Sequence, residues 1–107
     1  MADRDVLWTD TARQDLEQIV AYIAEESPAD ALKATERIEE RCGELNRLPA
    51  RGRVVPELRA VDVVGYRELI EGPWRIIYRY DDRAVYVVAV LDARRDLTSL
   101  LLGRLVR

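Results

Sequence analysis

The segment from Val85 to Leu91 is apolar at all seven positions. A run this short, rich in valine and bounded by Asp81-Asp82 and Asp92, indicates a β-strand rather than a helix. A strand without polar alternation needs cover on both faces of its sheet. The chain must therefore supply two covering layers, or leave one face for a partner.

The second half of the chain predicts further strands and hairpin turns. Strands are expected at Glu57 to Arg59, Tyr66 to Ile70, Trp74 to Tyr80 and Ala84 to Leu91, with turns at Gly72-Pro73 and Asp81-Asp82. Alternation assigns the side chains of each strand to two opposite faces. We expect one face to carry Arg75, Ile77 and Arg79, and the other to carry Trp74, Ile76, Tyr78 and Tyr80. On the last strand we expect Val85, Val87, Ala89 and Leu91 to point one way, and Tyr86, Val88 and Val90 the other.

The first half predicts a short strand, Val6 to Thr9, followed by an antiparallel pair of helices. Thr9, Asp10 or Thr11 suits the cap of the first helix, and Ser27-Pro28 suits the start of the second. The segment Leu48 to Pro56 contains two prolines and a glycine and is predicted to be a loop. Each helix has one apolar stripe with which to cover the sheet, at Ala12, Leu16, Ile19, Val20 and Ile23 and at Ala31, Thr35, Ile38, Cys42 and Leu45.

The tail from Asp96 to Arg107 contains leucines at 97, 100, 101 and 105 behind a potential Asp96 cap. It predicts a short helix that either folds over the second face of the sheet or binds a partner. Because termini are commonly the least secured part of a domain, we expect the tail to contribute to function more than to stability. Its deletion after Arg95 is then expected to leave cooperative unfolding intact.

Composition limits the chemistry that the chain can perform. It has 107 residues, which we expect to form one domain (1–107), and no run approaching the roughly 20 apolar residues of a membrane helix, so we expect a cytoplasmic protein. It has no histidine and a single cysteine, Cys42, so neither a metal site nor a cofactor is expected. The net charge of −3 and the pI near 5.0 argue against a protein that binds along nucleic-acid phosphates. We also expect no direct sequence-specific binding of nucleic acid by this chain.

Five local signatures follow one another along the chain: Trp8 with Ala12-x-x-Asp15-Leu16-x-x-Ile19-x-x-Tyr22-Ile23, Gly52-Arg53-Val54-Val55-Pro56-Glu57-Leu58, Arg67-Glu68-Leu69, Trp74-Arg75-Ile76-Ile77-Tyr78-Arg79, and Arg94-Arg95-Asp96-Leu97. In this order and spacing they resemble the ParE branch of the RelE/ParE toxin superfamily. The resemblance covers nearly the whole chain. It implies an α+β fold with an N-terminal strand, an antiparallel helix hairpin packed on a twisted antiparallel sheet, and a short C-terminal helix or tail.

The resemblance also implies a function. The chain would be the toxin of a type II toxin–antitoxin system, bound by a cognate ParD-like antitoxin in a hetero-oligomer. The ParE branch inhibits growth by binding DNA gyrase, whereas the RelE branch cleaves messenger RNA on the ribosome. The nuclease pattern carries its two arginines onto Arg75 and Arg95, but its paired lysines fall near Tyr66 and Glu68, and its C-terminal tyrosine falls near Leu101. Asp92 stands where many relatives have a histidine.

These departures favour a gyrase-binding toxin that is not an enzyme, with an RNA endonuclease as the alternative and an inert binding module as a third possibility. Arg75 and Arg95 lie on or beside paired strands and are expected to converge. Arg75 has a second interpretation, as a structural residue paired with Glu68 or Asp92. We expect an apolar, arginine-rimmed sheet face to be covered by the antitoxin. The residues predicted to contact the target or the antitoxin are Arg75, Arg79, Arg94, Arg95, Trp74, Tyr78, Leu97 and Leu101.

Overall fold

The computed structural model describes residues 3–105, which form a five-stranded sheet with helices on both faces. The elements in chain order are β1 (Asp5–Trp8), α1 (Asp10–Ala24), α2 (Pro28–Gly43), a 3-10 turn (Glu44–Asn46), β2 (Arg53–Val54), α3 (Pro56–Arg59), β3 (Arg67–Glu71), β4 (Trp74–Tyr80), β5 (Ala84–Asp92) and α4 (Leu97–Leu105). The predicted α+β class is confirmed. The last two residues of the predicted tail lie outside the described residues. No helix in the described part of the chain is long and apolar enough to cross a membrane.

The strand order is β1-β5-β4-β3-β2, so the apolar strand β5 lies inside the sheet. The three pairs β2/β3, β3/β4 and β4/β5 are antiparallel, as the hairpin turns predict. β1 pairs in parallel with β5, which makes the sheet mixed rather than wholly antiparallel. A parallel pair requires a long crossover, and the helix hairpin is part of the chain between these two strands.

The two long helices begin at the residues that suit a helix cap. Thr9 accepts a hydrogen bond from the backbone N–H of Ala12 at 3.1 Å, and Ser27 accepts one from Asp30 at 3.1 Å. Pro28 occupies the first turn of α2, where no backbone donor is needed. These caps satisfy amides that the helices cannot satisfy themselves, so both predicted starts are confirmed.

The helix hairpin covers one face of the sheet and forms the first core. Ile38, Leu45 and Tyr78 are fully buried there together with Val85 and Val87. Cys42 belongs to the same cluster, and burial raises the pKa of its thiol to about 12. A buried thiol with so high a pKa behaves as a small apolar side chain.

The opposite face carries a second core, formed by α3, α4 and the sheet. Leu97 and Leu101 of α4 are 2% and 0% exposed and pack with Leu58, Ile77 and Leu91. The C-terminal helix is therefore the second covering layer that the apolar strand requires. The expectation that the tail is dispensable for stability is wrong in this arrangement.

Several predicted elements differ from the structure. The segment predicted as a strand at Glu57 to Arg59 is the short helix α3, because Pro56 follows the extended residue Val55 and has the φ angle of a first helical turn. The two-residue strand β2 lies inside the predicted loop. β3 runs from Arg67 to Glu71, one residue later than predicted.

A β-bulge changes the direction of side chains along β5. Ile77 pairs with Ala89 and Tyr78 pairs with Val87, which leaves Val88 without a partner. As a result Val85, Val87 and Val90 point into the first core, while Ala89 and Leu91 point into the second. Simple alternation gave the wrong face for Val90, Ala89 and Leu91, because an inserted residue reverses the pattern beyond it.

Candidate partner-binding groove

An open groove lies between α1 and the end of the sheet where β4 starts and β5 finishes. Its volume is about 540 Å³. Three of the predicted contact residues, Trp74, Arg94 and Arg95, line it. They meet there because β4 and β5 are antiparallel, with Trp74 paired to Asp92, so the start of one strand lies beside the end of the other.

The floor and one wall of the groove are apolar. Ile19, Tyr22 and Ile23 of α1 face Trp74 and Val90 across it. Tyr22 is 77% exposed. An exposed aromatic residue beside a partly buried tryptophan provides contact area at little cost in side-chain entropy.

Of the two arginines that line the groove, one is paired with a carboxylate and the other forms no ion pair among the described residues. Asp92 binds the guanidinium of Arg94 at 2.8 and 3.0 Å and accepts its backbone N–H at 2.9 Å. These bonds lower the pKa of the Asp92 carboxyl to about 2, with the side-chain bond from Arg94 as the largest cause. Arg95 is exposed and, in the described part of the chain, forms no ion pair, so it is the cation of this groove that remains available to a partner.

Asp15 lies at the edge of the groove and joins three elements. Its carboxylate accepts the backbone N–H of Val90 at 3.0 Å, at a position of β5 beyond the end of β1. The same carboxylate binds the guanidinium of Arg104 on α4 at 2.7 and 2.9 Å. The hydrogen bonds that Arg104 donates to Asp15 are the largest cause of the raised pKa of its guanidinium. The Asp15–Arg104 pair, which we call the clasp, therefore links α4 to α1 beside the part of β5 that β1 does not cover.

Arg75 lies outside this groove, on the opposite face of β4, where two carboxylates surround it. Its guanidinium donates to Glu57 at 2.7 Å and to Glu68 at 2.9 Å, in addition to a second bond with each. Glu68 is 1% exposed and also binds Arg53 at 2.7 Å. The bond from Arg75 is the largest cause of the lowered pKa of Glu57, and the bond to Glu57 is the largest cause of the raised pKa of Arg75.

This cluster joins α3 to the sheet and corrects one expectation. The predicted structural pairing of Arg75 with Glu68 is confirmed, and Glu57 is a second partner that sequence reasoning missed. The predicted convergence of Arg75 with Arg95 is wrong, because Arg75 is 6% exposed beneath α3 while Arg95 lines the groove against α1.

Three other predicted contact residues are buried. Leu97 and Leu101 belong to the second core, as described above. Tyr78 is 0% exposed, donates its hydroxyl to the carbonyl of Pro49 at 2.7 Å, and accepts the N–H of Gly52 at 2.8 Å. Burial is the main cause of its raised pKa. These side chains hold the fold together and offer no free surface to a partner in this conformation.

Arg79, the last predicted contact residue, is exposed and lies on the α3/α4 face of β4. Its guanidinium carbon lies 4.3 Å from the ring centroid of Tyr86. Tyr22, Asp15 and Tyr86 are not among the site residues predicted from the sequence. The signal for Asp15 was a carboxylate within an otherwise apolar helical stripe, which requires a partner.

Residues 3–105 contain no group of three acidic, cysteine or histidine side chains placed to bind a metal ion.

Comparison with known proteins shows which family this fold and sequence resemble. A family model described as the ParE toxin of the type II toxin-antitoxin system, parDE, matches residues 6–97. The chain is similar to a structure of the chromosomal ParDE TA system from P. aeruginosa, with 26% identity and a TM-score of 0.67, over 83% of this chain and 95% of that one. It is also similar to the toxin-antitoxin complex RelBE2 from Mycobacterium tuberculosis, with 26% identity and a TM-score of 0.58, over 86% and 93% of the two chains. No curated protein matches the chain.

Proposed function

The chain belongs to the ParE toxin family of type II toxin–antitoxin systems, and from this premise we propose that it inhibits growth in the cytoplasm by binding DNA gyrase, without acting as an enzyme. We further propose that a cognate ParD-like antitoxin neutralises it by covering the groove beside α1. The resemblance of the sequence to the ParE branch supports gyrase as the target.

The pairing of Arg75 with two carboxylates is the observation that favours a binding toxin over a nuclease. Cleavage of RNA by its 2′-hydroxyl requires a base, an acid for the leaving oxygen, and cations around the phosphate. Arg75 is neutralised by Glu57 and Glu68, and it is separated from Arg95 by the sheet. A phosphate would have to displace two carboxylates to reach it.

Three other features of the chain also favour a binding toxin over a nuclease. The sequence has no histidine to act as a base near neutral pH. Leu101, where the nuclease pattern has a tyrosine, is 0% exposed. The net charge of −3 gives little general attraction for RNA.

The groove has the composition expected for binding an amphipathic segment of the antitoxin. Its apolar wall, centred on Trp74 and Tyr22, suits the apolar side of a helix. Arg95 at its rim suits an acidic residue of the same segment. Both similar structures are described as a toxin–antitoxin system or complex, which supports an antitoxin as the partner.

Antitoxin binding can be tested with groove variants and a matched surface control. We expect Trp74→Ala and Arg95→Glu each to weaken binding of the antitoxin by about tenfold or more, as for residues that contribute at least 1.4 kcal/mol to an interface. Arg37→Glu, which makes the same charge change on an exposed part of α2, should leave the affinity within about threefold of wild type. Equal affinities for all three variants would contradict the assignment of the groove.

The mode of toxicity can be tested in cells. Induction of the chain without its antitoxin should activate a reporter of DNA damage while messenger RNA 5′ ends remain unchanged. New 5′ ends within translated messages, lost in an Arg95→Ala variant, would instead establish the ribosome-dependent nuclease.

A further inference from the structure

α3 and α4 cover only part of the second face of the sheet. α3 and α4 pack on Ile77, Ala89 and Leu91, towards the end of the sheet where β5 finishes. At the other end, four side chains form a row across adjacent strands, and we call this the cross-strand row. It consists of Leu7, Tyr86 and Arg79 on three adjacent strands, together with Tyr66 directly before β3.

The strand register fixes these residues on one face. Leu7 pairs with Tyr86, and Tyr86 pairs with Arg79. Their neighbours in sequence, including Trp8, Val87 and Tyr78, point into the first core on the other side of the sheet. Tyr66 packs against the second core and precedes Arg67, the first residue of β3.

The cross-strand row is accessible. Leu7 is 49% exposed, Arg79 is exposed, and Tyr66 and Tyr86 are half-buried. A leucine, two tyrosines and an arginine in one row make a mixed apolar and cationic surface. Isolated exposed apolar residues are ordinary, but four aligned side chains on a sheet face are a surface of the kind that partners bind.

Arg79 is held against an aromatic ring and, among the described residues, not in a salt bridge. It stacks on the Tyr86 ring at 4.3 Å, and in the described part of the chain it forms no ion pair with a carboxylate. Tyr86 is itself positioned by the bond from its hydroxyl to Asp81 at 3.4 Å. Arg75, Arg94 and Arg104, in contrast, are each bound to carboxylates. Arg79 is thus pre-oriented to bind an anionic group at a small further cost in entropy.

We propose that the cross-strand row is the surface with which the toxin binds its target protein, and that Arg79 pairs with an acidic side chain of that protein. The inference rests on the proposed function, because it assumes a toxin that acts by binding. The row and the antitoxin groove lie on opposite faces of the sheet and at opposite ends of β4. Target binding and antitoxin binding are therefore separable by substitution.

A protein fits the row better than a nucleic acid does. Tyrosine and arginine are, with tryptophan, enriched at the energetic centre of protein interfaces, whereas lysine is depleted at interfaces. A second groove of about 470 Å³ shares Tyr66 and adds Arg59 and Arg67, which extends the cationic surface towards the edge of the sheet. Binding along a phosphate backbone requires many more cations than the net charge of −3 provides.

The test uses two substitutions in the row and one control outside it. Arg79→Glu and Tyr86→Ala change the two stacked side chains, and Arg37→Glu on α2 repeats the charge change on an exposed helix face. For each full-length variant, growth inhibition, affinity for purified gyrase and affinity for the antitoxin are measured. Antitoxin affinity also reports whether the variant is folded.

We expect Arg79→Glu to lose growth inhibition and to bind gyrase about 30-fold more weakly, which corresponds to the roughly 2 kcal/mol of an interface hot spot. Tyr86→Ala should show a smaller loss in the same direction, and Arg79→Lys a partial recovery relative to Arg79→Glu. Antitoxin affinity should remain within about threefold of wild type for every variant, and Arg37→Glu should remain toxic.

Other outcomes separate this inference from the choice of gyrase. If wild type does not bind gyrase but both row variants lose growth inhibition and keep antitoxin affinity, the target surface stands and gyrase is the wrong target. If both variants stay as toxic as wild type, the inference fails whatever the target is. It also fails if antitoxin affinity falls with toxicity, or if the substitutions abolish binding to a single-stranded oligonucleotide that wild type binds.

Discussion

Leu101 is the residue whose truncation best tests whether α4 is part of the core. It is 0% exposed and packs with Leu97, Leu91 and Ile77. Truncation of a buried leucine to alanine costs about 2 to 5 kcal/mol, because it loses apolar contact and leaves a cavity. A domain of this size has a total stability of about 5 to 15 kcal/mol. We therefore expect Leu101→Ala to lower the melting temperature by at least about 8 °C.

The control is the same substitution at an exposed position. Leu32 on α2 is 60% exposed, so Leu32→Ala should change stability by no more than about 0.5 kcal/mol. Urea unfolding followed by the fluorescence of Trp8 and Trp74 measures both variants. Deletion of residues 97–107 removes both buried leucines, worth about 3 to 6 kcal/mol together, and also the Asp15–Arg104 pair. It should abolish cooperative unfolding. Equal stability of Leu101→Ala and Leu32→Ala would refute the packing of α4.

Three further substitutions test individual contacts by urea unfolding. Arg104→Ala should cost about 1 to 3 kcal/mol, less than the loss of a fully buried pair because Arg104 is 25% exposed; an unchanged midpoint would show that the clasp with Asp15 is not formed. The pKa of Glu57 in the folded state lies below its ordinary value of 4.5. Its contribution to folding stability is therefore fully present above pH 4.5 and is lost as the pH falls through the lowered folded-state pKa. Glu57→Gln should thus be less stable than wild type near neutral pH, with the difference shrinking below pH 4.5, and a constant difference would contradict the assignment. Gly52→Ala would place a methyl group 2.6 Å from the Tyr78 hydroxyl and should cost about 1 to 3 kcal/mol, whereas Gly43→Ala, which meets nothing within 4 Å, should cost nothing measurable.

Local sequence signals predicted the helices and most of the strands. The caps at Thr9 and Ser27 depend on residues three positions apart, so they can be recognised without knowledge of the fold. The hairpin turns before β4 and β5 are similarly local. The need for cover on both faces of β5 was visible in its composition, although the sequence left open whether the tail or a partner would provide that cover.

The errors arose where tertiary contacts determine the structure. The bulge at Val88 reverses the faces of the residues after it, and nothing in the run Val85 to Leu91 marks its position. The fate of Arg75 depends on Glu57, 18 residues away on α3, a segment predicted as a strand. If this segment were a strand, Arg75 would be expected to be available beside Arg95. In the structure the two arginines lie on different faces of the sheet.

We propose that this toxin acts by binding gyrase and does not cut RNA. The most direct measurement incubates the purified chain with DNA gyrase and supercoiled plasmid, then removes the proteins with detergent and protease. We predict that linear plasmid accumulates in proportion to the toxin added, and that the antitoxin abolishes this accumulation. A plasmid that stays intact, together with cleavage of ribosome-bound messenger RNA by the same preparation, would contradict the claim.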